Sequence, residues 1–138
     1  AEMLAAAAAD EKSETTASGV VMKVLEAGVG PYPAANSTVE LHYQALLADG
    51  TVFDSSYARR DSTKLPLDGT MLGVREGLLA MREGSTAMLM IPSDLGFGAR
   101  GAPQAGVPGG ATLIIRVELV KVLEGGFAVY HRRQWDER

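Results

Sequence analysis

From Val39 to Ala45 apolar and polar side chains alternate: Val39, Leu41, Tyr43 and Ala45 take one face, and Glu40, His42 and Gln44 the other. A period of two marks a strand with one buried face. Asp49-Gly50 follows, a hairpin signal because both residue types tolerate positive φ, and Thr51 to Asp54 is the expected partner strand. Upstream, Gly19 to Ala27 (GVVMKVLEA) is rich in β-branched and apolar residues and reads as a strand. Gly28, Gly30, Pro31 and Pro33 end it. Leu65-Pro66-Leu67 reads as a short edge strand, where the missing proline N–H does no harm. Thr86 to Ile91 is a continuous apolar run, expected to be covered on both faces. Ala111 to Leu123 returns to strand, with Ile115, Val117 and Leu119 opposite Arg116 and Glu118.

One segment has the helical period instead. Met71, Leu72, Val74, Leu78, Leu79 and Met81 predict a short amphipathic helix over 71–81, with Gly73 and Gly77 tolerated inside it. Ser55 to Lys64 is polar and loop-like. Pro92 to Gly110 holds six glycines and three prolines, and a loop that long in a compact domain is usually functional. The pattern predicts an α+β fold: an antiparallel sheet of five to six strands wrapped around one short helix. Residues 1–18 form an N-terminal extension, 19–124 the domain and 125–138 a C-terminal tail. Ala1 to Ala9 suits a short helix or a frayed end.

Composition narrows the function. A length of 138 residues fits one domain with a core of its own. The net charge of −4 argues against nucleic acid and anionic membrane as main partners. There is no cysteine, which removes disulfides and thiol chemistry and leaves the compartment open. No apolar run reaches the roughly 18 residues of a membrane span. The chain begins at Ala1 rather than methionine, as expected of a processed or cut N-terminus, which would fit an organelle lumen or periplasm without excluding the cytoplasm. His42 and His131 lack metal-ligand spacing. Gly96-Phe97-Gly98-Ala99-Arg100-Gly101 has no phosphate-loop lysine, and no serine sits in a nucleophile elbow. Neither metal nor cofactor is expected.

Four segments, in order, carry a resemblance: VELHYQALLADGTVFDSS (39–56), LPL with GTMLGVREGLLAMREG (65–84), LMIPSDLGFGARG (89–101) and VPGGATLIIRVELVKV (107–122). Together they resemble the FKBP family of peptidyl-prolyl cis-trans isomerases over about residues 19–124. The N-terminal ADEK…SGVVMKVLEAGVG stretch is similar to the Mip-like branch, whose catalytic domain follows helical sequence. The resemblance implies a rotamase active on proline-containing polypeptides, working in protein folding with chaperone-like peptide binding. It assigns Tyr43, Phe53, Asp54, Met71 and Phe97 to the catalytic cleft, and Arg59, Thr70, Val74, Val107 and Ile115 to substrate binding. Asp54 would pair with Arg59, although Arg60 is adjacent, and the Met71 N–H would meet a peptide carbonyl.

The same comparison exposes departures. Val74 stands where the family's helix carries a tryptophan floor, so the floor is expected to be deeper or filled otherwise. Phe97 lacks the hydroxyl of the usual tyrosine, Ile115 replaces a common aromatic wall, and Leu65 replaces a phenylalanine. Lost aromatic area implies weak turnover and weak macrolide binding. Two function classes follow: an isomerase, and a non-catalytic binding or structural subunit on the same scaffold. The second draws on the tails, where Phe127, Tyr130, Arg132, Arg133 and Trp135 are residues of the kind that anchor a protein partner.

Overall fold

The structure, a computed structural model, describes residues 13–123. Seven strands form one sheet: β1 (Ser13–Thr15), β2 (Val21–Glu26), β3 (Thr38–Leu47), β4 (Val52–Ser55), β5 (Thr63–Pro66), β6 (Thr86–Ile91) and β7 (Leu113–Leu123). The order is β1-β2-β6-β7-β3-β4, with β5 also paired to β3, and every pair is antiparallel. Among the described residues there are also two α-helices, α1 (Ser56–Arg59) and α2 (Leu72–Leu79), and three 3-10 turns at Leu67–Gly69, Ser93–Leu95 and Pro103–Ala105. The α+β expectation holds. The sheet exceeds the expected five to six strands because Ser13 to Thr15, read with the extension, pair with Lys23 to Val21. Residues 1–12 and the tail from 124 onward lie outside the described residues, and with them the readings made for Ala1–Ala9 and for Phe127, Tyr130 and Trp135.

Central β3 explains where a site can form. Its inner neighbour is β7 along the whole length. Its other edge is shared: β5 covers Thr38–Leu41 and β4 covers Gln44–Leu46. Between these partners the edge at His42 and Tyr43 is open, and the chain crosses the gap as α1. Ser55 starts α1 by accepting the Ala58 N–H at 3.3 Å, and Arg60 ends it in the left-handed region at φ 57°. A segment read as a loop is therefore helical for one turn, because a serine cap and a left-handed stop flank it.

The hairpin between β3 and β4 also differs in detail. Gly50 alone of the Asp49-Gly50 pair has positive φ, at 90°. Its N–H donates to the Leu47 carbonyl, and the Asp49 carboxylate accepts the Thr51 N–H at 2.9 Å. The loop thus has three residues closed by a glycine, the next commonest hairpin connection after two-residue turns.

Helix α2 lies against the sheet, and its contact face explains its two glycines. Gly73, Gly77 and Leu78 are its buried residues. A Cβ on Gly73 would strike Ile91 of β6, and one on Gly77 would strike Leu89. Helix and strand touch backbone to side chain at these points, which only glycine allows. Leu72, read as part of the apolar stripe, is instead 53% exposed. The core between α2 and the sheet consists of Leu41, Leu89, Ile91, Leu113, Val117 and Leu119 with Leu67, Leu78 and Met81.

Candidate active site

A cavity of about 200 Å³ opens on the inner face of β3, bounded by β4, β5, the start of α2 and the 92–110 loop. That is below the roughly 300–1,000 Å³ of drug-sized ligand pockets and suits one side chain or ring. Its walls carry three rings, Tyr43, Phe53 and Phe97. Phe53 and Phe97 meet edge to face, with centroids 6.2 Å apart, an arrangement favoured by the ring quadrupoles.

Phe53 and Asp54 are consecutive in a strand, yet both line the cavity. Neighbouring strand residues ordinarily face opposite ways. Here Ala45 pairs with Asp54 and Leu46 with Val52, so Phe53 is an extra, unpaired residue. This bulge turns both side chains toward the cleft, as bulges near functional sites commonly do.

At the rim three polar groups close on one another. The Tyr43 hydroxyl donates to Asp54 Oδ2 at 2.7 Å, Arg59 Nη1 donates to Asp54 Oδ1 at 2.8 Å, and Arg59 Nη2 donates to the Tyr43 hydroxyl at 2.9 Å. The guanidinium also lies over the Tyr43 ring, 5.6 Å from its centroid. Partial burial pushes the Asp54 pKa up, but the hydrogen bonds from Tyr43 and Arg59 and the Arg59 charge outweigh it and hold the carboxyl below its ordinary value. Burial, then the bond to Asp54, raises the Tyr43 phenol. Asp54 is therefore a fixed anion at neutral pH and Tyr43 a neutral donor. The ambiguity between neighbouring arginines is resolved: Arg59, in the last turn of α1, reaches Asp54, while Arg60 is the left-handed residue that ends the helix.

Ser56, unassigned from sequence, holds this arrangement. It is fully buried and fills the gap in the β3 edge. Its Oγ accepts the Tyr43 N–H at 2.8 Å and lies 3.0 Å from His42 Nδ1. His42 in turn stacks on Tyr57 with centroids 4.9 Å apart. The side chain thus replaces a ladder partner for β3 and fixes the start of the helix that carries Arg59. The second serine of Phe-Asp-Ser-Ser was the available signal, but a fold-dependent gap gives it its role.

Met71 is the N-cap of α2, with no side-chain cap bond. Its N–H has no acceptor among the described residues, so it remains free for a ligand carbonyl. Thr70, Val74 and Ile115 line the cavity, and Leu65 takes its place beside Thr63 on β5. The bottom is Leu41, Leu89, Leu113 and Val117, core residues that sequence pattern alone could not separate from the rest of the core. Val107 requires correction. It is 1% exposed, exchanges hydrogen bonds with Ala102 and does not line the cleft. Its side chain packs inward among the core residues and fastens the long loop.

Residues 30–120 match the family model described as FKBP-type peptidyl-prolyl cis-trans isomerase. The chain belongs to this family. Among FKBP-type relatives, the 22 kDa peptidyl-prolyl cis-trans isomerase of Escherichia coli K12 is 41% identical over 113 residues, 82% of this chain and 54% of that protein. Mip of Coxiella burnetii is 39% identical over 109 residues, 79% of this chain and 47% of that protein. The crystal structure of FkpA from Escherichia coli superposes with a TM-score of 0.82 at 37% identity, covering 88% of this chain and 56% of that one. The chain spans about half the length of the curated relatives it matches. The FKBP scaffold accounts for the long antiparallel sheet around α2.

Proposed function

We propose that the cleft binds a proline-containing polypeptide and accelerates rotation about its X–Pro bond. The observation that carries this reading is the Tyr43–Asp54–Arg59 ring set on the rim of an apolar cavity in an FKBP domain. Rotation must break amide resonance, a barrier of about 18–20 kcal/mol. The twisted amide is less polar than the planar one, so walls of Phe53, Phe97, Val74 and Ile115 stabilise the transition state more than the ground state. The Met71 N–H would hold a peptide carbonyl while the bond turns. Asp54, kept charged by its two partners, would face the amide from the rim. Arg59 and Thr70 would orient the flanking peptide.

The test is exchange between cis and trans forms of a short proline peptide, followed by NMR. Spontaneous exchange takes about 10–100 s. Acceleration is expected, with a marked loss in Asp54→Ala and Phe53→Ala. A rate no faster than the spontaneous one at high protein concentration would reject catalysis. A second reading, a non-catalytic binding subunit, is favoured by Phe97, which offers no hydroxyl, and by the aliphatic floor. It would show as peptide binding without acceleration. A partner held through the terminal segments belongs to this second reading; partner capture by the intact chain but not by one ending at Leu123 would support it.

A further inference from the structure

Among the described residues, none with a ring lies at the floor of the cleft. Tyr43, Phe53 and Phe97 stand on the walls, while Val74, Leu41, Leu89, Leu113, Ile115 and Val117 make the lower surface. Leu41, Leu89, Leu113 and Val117 are each 2% exposed or less, so the cavity ends directly on the core. The polar side chains that line it, Tyr43, Asp54, Thr63 and Thr70, belong to its walls and rim. A flat aromatic floor discriminates by shape, because a flat ring stacks well on it. An aliphatic floor discriminates by volume alone, and a purely hydrophobic pocket rejects a similar-sized apolar group only weakly.

We propose that this cleft is also a binding site for proline-free peptides, taking the leucine side chain of an extended segment into the space above Val74. The inference rests on the same placement of peptide in the cleft as the isomerase reading, but it does not require turnover. The free Met71 N–H serves a leucine peptide as well as a proline peptide, since it contacts main chain only. The cavity of about 200 Å³ has room for one branched aliphatic side chain. A leucine held there would occupy the site without being processed, so leucine peptides would compete with proline peptides.

The test uses three peptides of one sequence with Leu, Pro or Ala at the central position, titrated calorimetrically into the full chain and into Val74→Trp. Each buried methylene is worth about fourfold in affinity (about 0.8 kcal/mol). The leucine peptide is therefore expected to bind about tenfold or more tightly than the alanine peptide, and to inhibit exchange of the proline peptide competitively. In Val74→Trp that preference should fall below about threefold, as the tryptophan fills the volume. Val74→Leu, a smaller filling, should lower it in the same direction if the tryptophan variant does not fold. Equal binding of the leucine and alanine peptides to the wild-type chain overturns the proposal, as does a leucine preference unchanged in the folded variant. Proline exchange is read in the same samples. Exchange without leucine preference removes this proposal alone, leucine preference without exchange removes the isomerase reading alone, and absence of both removes both.

Discussion

Replacing Gly73 with alanine sets two effects of known size against each other. Alanine in a helix is favoured over glycine by at most about 1 kcal/mol, and Gly73 sits in the first turn of α2, where the gain is smaller. Against this, the new Cβ would strike Ile91 and lie 3.1 Å from the Leu95 carbonyl oxygen. Ile91 is fully buried and β-branched, so its side chain cannot rotate away cheaply, and the carbonyl is backbone. Overpacking of this kind costs about 1–3 kcal/mol. The clash wins, and Gly73→Ala should destabilise the domain by about 1–2 kcal/mol. In a urea titration with an unchanged slope of about 2 kcal/mol/M, the midpoint should fall by about 0.5–1 M. Relief of the clash lifts α2 from β6 and carries Met71 and Val74 with it, so peptide affinity should fall as well. A variant as stable as the wild type, or more so, would show that propensity outweighs contact. The close approach of α2 to the sheet, and the floor built on it, would then be wrong.

Ser56→Ala should cost about 1–3 kcal/mol, because the Tyr43 N–H loses its buried acceptor; a change in unfolding free energy below about 0.5 kcal/mol would refute the role given to Ser56. The rim sets a pH window. Asp54 has a depressed folded pKa, so its contribution is complete above the unfolded value of about 3.9 and is lost as pH falls through the folded one. Tyr43 has a raised folded pKa, so its contribution is complete below about 10 and is lost as pH rises through the folded value. Exchange rates should be flat from about pH 5 to 9, and a break near neutrality would contradict this assignment. Phe97→Tyr adds a donor at the cleft wall and should tighten proline-peptide binding about two- to tenfold by calorimetry; unchanged affinity would mean that residue 97 does not face the peptide.

The sequence by itself determined six of the strands and the helix that begins at Leu72, but neither β1 nor α1. Alternation in Val39–Ala45 and Leu113–Leu123 reports a one-sided burial that must be satisfied locally, whatever the topology. Alternation says nothing of which elements meet; that Tyr43, Phe53, Asp54 and Met71 share one cleft was implied only by the resemblance to the FKBP family. Tertiary structure decided three things that no period encodes. The bulge at Phe53 turns two consecutive residues to one side, which depends on the register against Ala45 and Leu46. The gap between β4 and β5 makes Ser56 a substitute ladder partner and chooses Arg59 over Arg60, because only the path of α1 fixes which arginine faces Asp54. The inward packing of Val107 removes it from the cleft, since a loop must bury something to stay folded. Gly73 and Gly77, one helical turn apart, stood legible as a pair, but their meaning required Ile91 and Leu89 across the contact. Periodicity records which face of an element is dry; which neighbour makes it dry is a property of the assembled chain.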